Sequence, residues 1–202
     1  RINKYWDLTV HKKYINLSEE QAIIGLRKRF FEAVSQRSHS SAPIGIELSG
    51  GLDTSGIAVC LRNMLKKDIP VYAFSHTLDE GQMIRPSRYK SELVYSDMIV
   101  RNSQIDRHFF ITGQQNPGAY IAINDFLHEM YRPAGQCFAM MSDLLYKRAH
   151  KSGVRVLFSG FGGDEGVSNS GREIIYELAA KQKLKKFKKT IRGNIKYNRN
   201  YY

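Results

Sequence analysis

One stretch constrains this chain more than any other. It runs Ile44-Gly45-Ile46-Glu47-Leu48-Ser49-Gly50-Gly51-Leu52-Asp53-Thr54-Ser55-Gly56. Ile44, Ile46 and Leu48 alternate with Gly45 and Glu47, the two-residue period of a strand. The strand breaks into Ser-Gly-Gly, and Ile57, Ala58, Leu61 and Leu65 predict a helix from about Thr54. Strand, glycine turn and helix together make a phosphate-binding geometry. Glycines let the backbone approach closely with its N–H groups turned inward, and the helix N-terminus adds partial positive charge. Ser49, Thr54 and Ser55 add hydroxyl donors. Asp53 repels phosphate unless a cation lies between them, so it implies Mg²⁺.

The elements around this stretch alternate. Ser18-Glu19-Glu20-Gln21 matches a capping box, and Ile23, Leu26, Phe30, Ala33 and Val34 form an apolar stripe, predicting a helix to about Arg37. Val71 to Ser75 is a strand candidate. Residues 77–89 carry Gly81 and Pro86 and predict a surface loop. A helix is expected from Lys90 to about Asn102 and a third strand over His108–Ile111. Further helices are expected over about 119–130 and 134–151, and a fourth strand over Val154–Phe158. Tyr5 and Trp6, in the lead-in, are expected to pack on the core. Such alternation predicts an α/β fold, a parallel twisted sheet with helices on both faces. Ligands bind at the carboxyl ends of such strands. Two strand ends here carry Ser-Gly, at Ser49-Gly50 and Ser159-Gly160. If their strands are neighbours, the two loops face one cleft.

Composition narrows the class. The 202 residues suffice for a domain with a core, and a 42% hydrophobic content argues against disorder. No apolar run nears the roughly 20 residues of a membrane span. Cys60 and Cys137 form no Cys-x-x-Cys pair and read as plain core residues, consistent with a reducing cytoplasm. The net charge of +12 is concentrated at one end. Residues 181–202 hold nine Lys or Arg and no acidic residue, whereas residues 1–180 hold 22 basic against 19 acidic. The expected organisation is a lead-in over 1–17 from an upstream domain, a phosphate-binding α/β domain over 18–175, and a basic helical tail over 176–202. The chain, which begins with Arg1, is expected to be a fragment of a longer one. The tail predicts a solvated helix with Leu184, Phe187 and Ile191 packing on a further C-terminal region, in preference to a nucleic-acid-binding segment over Lys181 to Arg199.

The string Ser-Gly-Gly-Leu-Asp-Thr-Ser resembles the loop of enzymes that split ATP between the α and β phosphates. A second motif, Ser159-Gly160-Phe161-Gly162-Gly163-Asp164-Glu165, repeats glycines followed by a carboxylate. Two aspartates at one phosphate site can share Mg²⁺ and neutralise departing pyrophosphate. With both motifs in order, and Gly153-Val154-x-Val156-Leu157-Phe158 before the second, residues 5 to 175 resemble the synthetase domain of the asparagine synthetase family. The fold that resemblance implies is adenine nucleotide alpha-hydrolase-like. It implies that Ser49, Gly50, Gly51, Thr54 and Ser55 hold phosphates and that Asp53 and Asp164 are catalytic through Mg²⁺. Backbone near Glu47 and Ser75 would face adenine, and Ser159 and Gly160 would lie against the nucleotide.

The activity implied is ATP-dependent amide formation. A carboxylate attacks the α-phosphorus, pyrophosphate leaves, and an amine then displaces AMP. The implied partners are ATP, a small carboxylate or peptide substrate, and an N-terminal glutaminase domain that makes the full enzymes amidotransferases. The chain departs from the family's pattern at Phe161, where asparagine synthetases usually carry Glu, and at Gly166-Val167-Ser168-Asn169. The family's catalytic lysine cannot be assigned among residues 181–196. Lactam-forming and peptide-cyclising synthetases share the loops and fit Phe161 as well. Three alternatives stay open. Argininosuccinate synthetase writes the same first loop, but near its N-terminus and without the second motif. Transfer-RNA-modifying relatives suit the basic tail but often need paired cysteines. A nucleotide-binding domain without catalysis is the third.

Overall fold

A computed structural model of the chain describes residues 3–5, 7, 9, 12–14, 16–65, 69–77, 92–112, 128, 137–168 and 174–199. Of the expected loop over 77–89, Thr77 instead ends a strand and 78–89 lie outside these residues, as do the expected helix over 119–130, His128 apart, and Trp6. Two compact units are formed, Arg1–Gly160 and Phe161–Tyr202.

In the first unit, α1 spans Glu19–Arg37, α2 Leu52–Met64, α3 Glu92–Asn102 and α4 Cys137–Lys151. The strands are β1 (Ile44–Glu47), β2 (Val71–Thr77), β3 (Arg107–Thr112) and β4 (Val156–Phe158). They form a sheet in the order β3-β2-β1-β4, and every pairing is parallel. A parallel order with β1 in the interior requires crossovers, which the intervening helices supply.

Alternation along the strands divides the core in two. On one face Ile44, Ile46, Val71, Ala73 and Phe158 pack with Val34 of α1 and Ala58, Cys60 and Leu61 of α2. On the other, Phe74 and Ile111 pack with Leu145 and Ala149 of α4 and with Val154. Helices thus cover both faces, as expected. Gly45 looks into the second core, where a Cβ would come within 2.7 Å of Leu157 Cδ1 and 2.9 Å of Val154 Cγ1. Only a residue without a side chain lets Leu157 of β4 and Val154 close on β1 there.

The capping box forms as the sequence predicts: Gln21 N–H donates to Ser18 Oγ at 3.2 Å, and Ser18 N–H to Gln21 Oε1 at 3.0 Å. The stripe of α1 is only partly used. Val34 is buried and Phe30 is partly buried, but Ile23 and Leu26 are 59% and 53% exposed. The reason is length. A 19-residue helix is about 28 Å long, and the four-residue strand it accompanies covers about 13 Å, so the first turns overhang the sheet. Tyr5 is 99% exposed, against the expectation that it packs on the core. The second unit holds α5 (Gly163–Gly166), α6 (Ile174–Ala180) and the basic α7 (Leu184–Arg199). Helices α6 and α7 pack on each other, with Leu178 buried and Phe187 and Ile191 half-buried. Leu184 stays exposed.

Candidate nucleotide site

Strand β1 ends at Glu47, and the chain turns at once. Gly50 takes φ 85°, a left-handed conformation that glycine adopts without strain. Gly51 then caps α2, which begins at Leu52, two residues earlier than the apolar pattern suggested. A helix tolerates Leu52 here because its side chain points outward, 79% exposed. The loop is tied internally. Gly51 N–H donates to Ser49 Oγ at 3.1 Å, Ser49 and Thr54 share a hydroxyl–hydroxyl bond at 3.2 Å, and Thr54 Oγ1 donates to the Gly51 carbonyl at 3.3 Å. Ser55 N–H enters the helix ladder at the Gly51 carbonyl. Asp53, half-buried, sits in the first turn of α2. Its carboxylate and the neighbouring hydroxyls are hard oxygen donors, a set that suits Mg²⁺.

Register brings the second loop to the first. Ile44, Gly45 and Ile46 of β1 pair with Val156, Leu157 and Phe158 of β4, so Ser49-Gly50 and Ser159-Gly160 leave neighbouring strand ends. Ser159 Oγ donates to Glu47 Oε2 at 2.5 Å. Gly160 lies so close to α2 that a Cβ on it would stand 2.7 Å from Thr54 Cγ2 and 3.4 Å from Asp53 Cβ. Nothing local in the sequence indicates that contact, since residues 54 and 160 meet only through sheet order.

On the α4 face, Glu47 and Ser159 line a cavity of about 330 Å³ with Tyr146, Ala149 and Leu157 among its walls. Burial raises the Tyr146 hydroxyl above its ordinary pKa, and the Glu47 charge pushes the same way. Burial lowers His76, while Glu47 opposes that shift. Neither Tyr146 nor His76 was expected at this site from the sequence. Tyr146 comes from a helix about a hundred residues downstream with no motif around it. His76 was legible only as the residue following the strand candidate over 71–75.

Ser75, expected near adenine through its backbone, directs its hydroxyl inward to the Leu48 carbonyl at 2.5 Å. Asp164 belongs to the second unit, in the first turn of α5, where it accepts a hydrogen bond from Ser168 Oγ at 3.2 Å. Gly162 before it has φ 84°, the same left-handed turn that Gly50 makes in the first loop. Phe161, between Gly160 and Gly162, is 98% exposed. An apolar anchor beneath the loop is therefore not its role in this structure. Among the described residues no helix is long and apolar enough to cross a membrane. Nor, among them, do three or more His, Cys, Asp or Glu residues group as a metal site.

Similarity to known proteins follows the same residues. Amidase chyE of Penicillium rubens is 26% identical over 168 residues, covering 80% of this chain and 25% of that protein. Amidase chry2 of Gibberella zeae is 35% identical over 65 residues, 31% of this chain and 10% of that protein. The chain thus spans a quarter or less of the curated relatives it matches. An NH3-dependent NAD synthetase from Campylobacter jejuni aligns in structure with a TM-score of 0.44 and 13% identity, over 73% of this chain and 60% of that one. The asparagine synthase family profile matches residues 25–196, a range that contains both Ser-Gly loops, and the chain belongs to that family.

Proposed function

We propose that this chain is the ATP-binding part of an ATP-dependent carbon–nitrogen ligase. It adenylates a carboxylate, releases pyrophosphate and passes the acyl group to an amine. The observation that carries the reading is the pairing of β1 with β4, which sets Gly160 against Thr54 at adjoining strand ends. Family membership and the amidase names of the two fungal relatives fit amide chemistry at this site.

In this reading the carboxylate oxygen attacks the α-phosphorus, and the bond to the bridging oxygen breaks. Ser49, Gly50, Gly51, Thr54 and Ser55 hold the departing pyrophosphate through hydroxyls and backbone N–H groups. Asp53 and Asp164 hold Mg²⁺, which supplies charge neutralisation when bound. The Glu47 and Ser75 backbone faces adenine, and Ser159-Gly160 closes against the nucleotide. The amine then attacks the acyl carbon and AMP leaves. The carboxylate and amine come from substrates or from parts of a longer protein, a glutaminase domain among them.

Pyrophosphate exchange into ATP, run with a panel of carboxylates, tests the reaction, and calorimetry with Mg-ATP tests the metal residues. Asp53→Asn and Asp164→Asn are expected to weaken Mg-ATP binding or stop exchange while the fold persists. Both carboxylates sit in first turns outside the two cores. Unchanged affinity and exchange in both variants would remove the metal assignment.

A further inference from the structure

Leu48 is the hinge between β1 and the first loop, and both of its backbone groups are held. Its N–H donates to the Phe74 carbonyl at 2.8 Å, continuing the ladder one residue past the strand. Its carbonyl is caught by a side chain, Ser75 Oγ, at 2.5 Å. Ser75 is 3% exposed. A hydroxyl has one proton. Since Ser75 gives it to Leu48, its second contact, His108 Nε2 at 2.8 Å, must be one in which Ser75 accepts. That fixes the tautomer: His108 carries its proton on Nε2.

The other ring nitrogen faces α3. His108 Nδ1 is buried, without a hydrogen-bond partner among the described residues, and stands 3.5 Å from Asp97 Oδ1. The remaining oxygen of Asp97 takes Arg101 at 2.9 Å. The Phe110 ring lies 4.2 Å from the imidazole, centroid to centroid. Burial holds His108 below its ordinary pKa, with Asp97 opposing. Register explains the reach. His108 pairs with Ala73 and Phe110 with Ser75, so imidazole and hydroxyl share the α3 face one pair apart.

We infer that His108 is a positioning residue for the first loop. It acts through Ser75 on the Leu48 carbonyl. The direction of donation runs from imidazole to hydroxyl to carbonyl. The carbonyl one residue past β1 is thereby clamped at the point where the chain leaves the sheet. The next three residues, Ser49, Gly50 and Gly51, inherit their starting direction from that clamp. For its effect on ATP this inference rests on the proposed nucleotide site; the clamp itself does not.

Nuclear magnetic resonance on the full 202-residue chain tests it. Side-chain nitrogen shifts of the parent protein at neutral pH are expected to show His108 protonated on Nε2. Protonation on Nδ1 alone would overturn the inference without any variant. In Ser75→Ala and His108→Leu, hydrogen exchange at the Ser49 and Gly50 amides should quicken about tenfold relative to core amides of α2, the worth of one hydrogen bond. His108→Gln keeps an N–H donor and should return most of that protection. A purely space-filling His108 would instead be replaced better by Leu than by Gln, and that order, or unchanged exchange in Ser75→Ala, refutes the clamp. Mg-ATP titration of the same samples should follow the loop. A parent chain that binds no Mg-ATP would count against the nucleotide reading, while the exchange rates still judge the clamp.

Discussion

Gly160→Ala is the sharpest test of how the two loops meet. The new Cβ would stand 2.7 Å from Thr54 Cγ2, with Asp53 Cβ and Thr54 N each at 3.4 Å. Carbon atoms rest about 3.5–4.0 Å apart, so the Thr54 methyl must retreat by roughly 1 Å. Thr54 is poorly placed to do so. It is buried, its β-branched side chain is stiff, and its hydroxyl is engaged with Ser49 and with the Gly51 carbonyl. Turning the methyl away pulls the hydroxyl off both partners. Overpacking of this kind costs about 1–3 kcal/mol. For a domain of this size that lowers Tm by roughly 2–10 °C. Mg-ATP affinity should fall as well, because the displaced hydroxyls belong to the loop. Differential scanning calorimetry and Mg-ATP titration read the two effects. Thr54→Ser removes the offended methyl, so in the double variant most of the loss should return, a coupling of about 1–2 kcal/mol. Gly25→Ala is the control: a Cβ there meets nothing within 4 Å, and the change should stabilise α1 by up to about 1 kcal/mol. Parental Tm and affinity in Gly160→Ala, or no rescue by Thr54→Ser, would refute the argument that close packing at residue 160 shapes the loop.

Other outcomes follow from burial and from the second motif. His76 and His108 both titrate below their ordinary value when folded, chiefly through burial. The unfolded chain therefore takes up protons first as pH falls. Stability should be full above about pH 6.5 and decline as pH drops toward the folded values. Melting curves from pH 8 to 5 check this, and a Tm that rises on acidification would contradict it. Burial also raises the Cys60 thiol, so iodoacetamide at pH 8 should label it only after denaturant is added. Phe161 offers no proton acceptor for an amine step. An intact enzyme carrying this chain, given its own carboxylate, should exchange pyrophosphate into ATP yet make no asparagine from aspartate and ammonia; robust asparagine synthesis would return it to the ordinary family reaction.

Much of this arrangement is written locally. Alternation at Ile44, Ile46 and Leu48, the turn at Gly50-Gly51, and the capping box at Ser18 depend on neighbours within a few residues, and each forms where the sequence places it. The parallel sheet follows from strands alternating with helices, because parallel neighbours need a crossover. Sheet order was not legible. The pairing of β1 with β4 across more than a hundred residues puts Gly160 on Thr54 and Ser159 on Glu47. Periodicity carries no information about which strands are neighbours. Burial was legible only in part, since an apolar stripe on α1 says which face is hydrophobic but not how far the sheet extends beneath it. Ile23 and Leu26 are exposed for that reason. His108 shows the same division. In the sequence it is one polar residue in a strand, and only the register of β2 with β3, together with α3, brings it to Ser75 and Asp97. The sequence determined the loops and the polar groups they carry because both are made of consecutive residues. The tertiary structure alone decided which distant groups hold them, because those contacts depend on how the strands are ordered and not on what any one stretch contains.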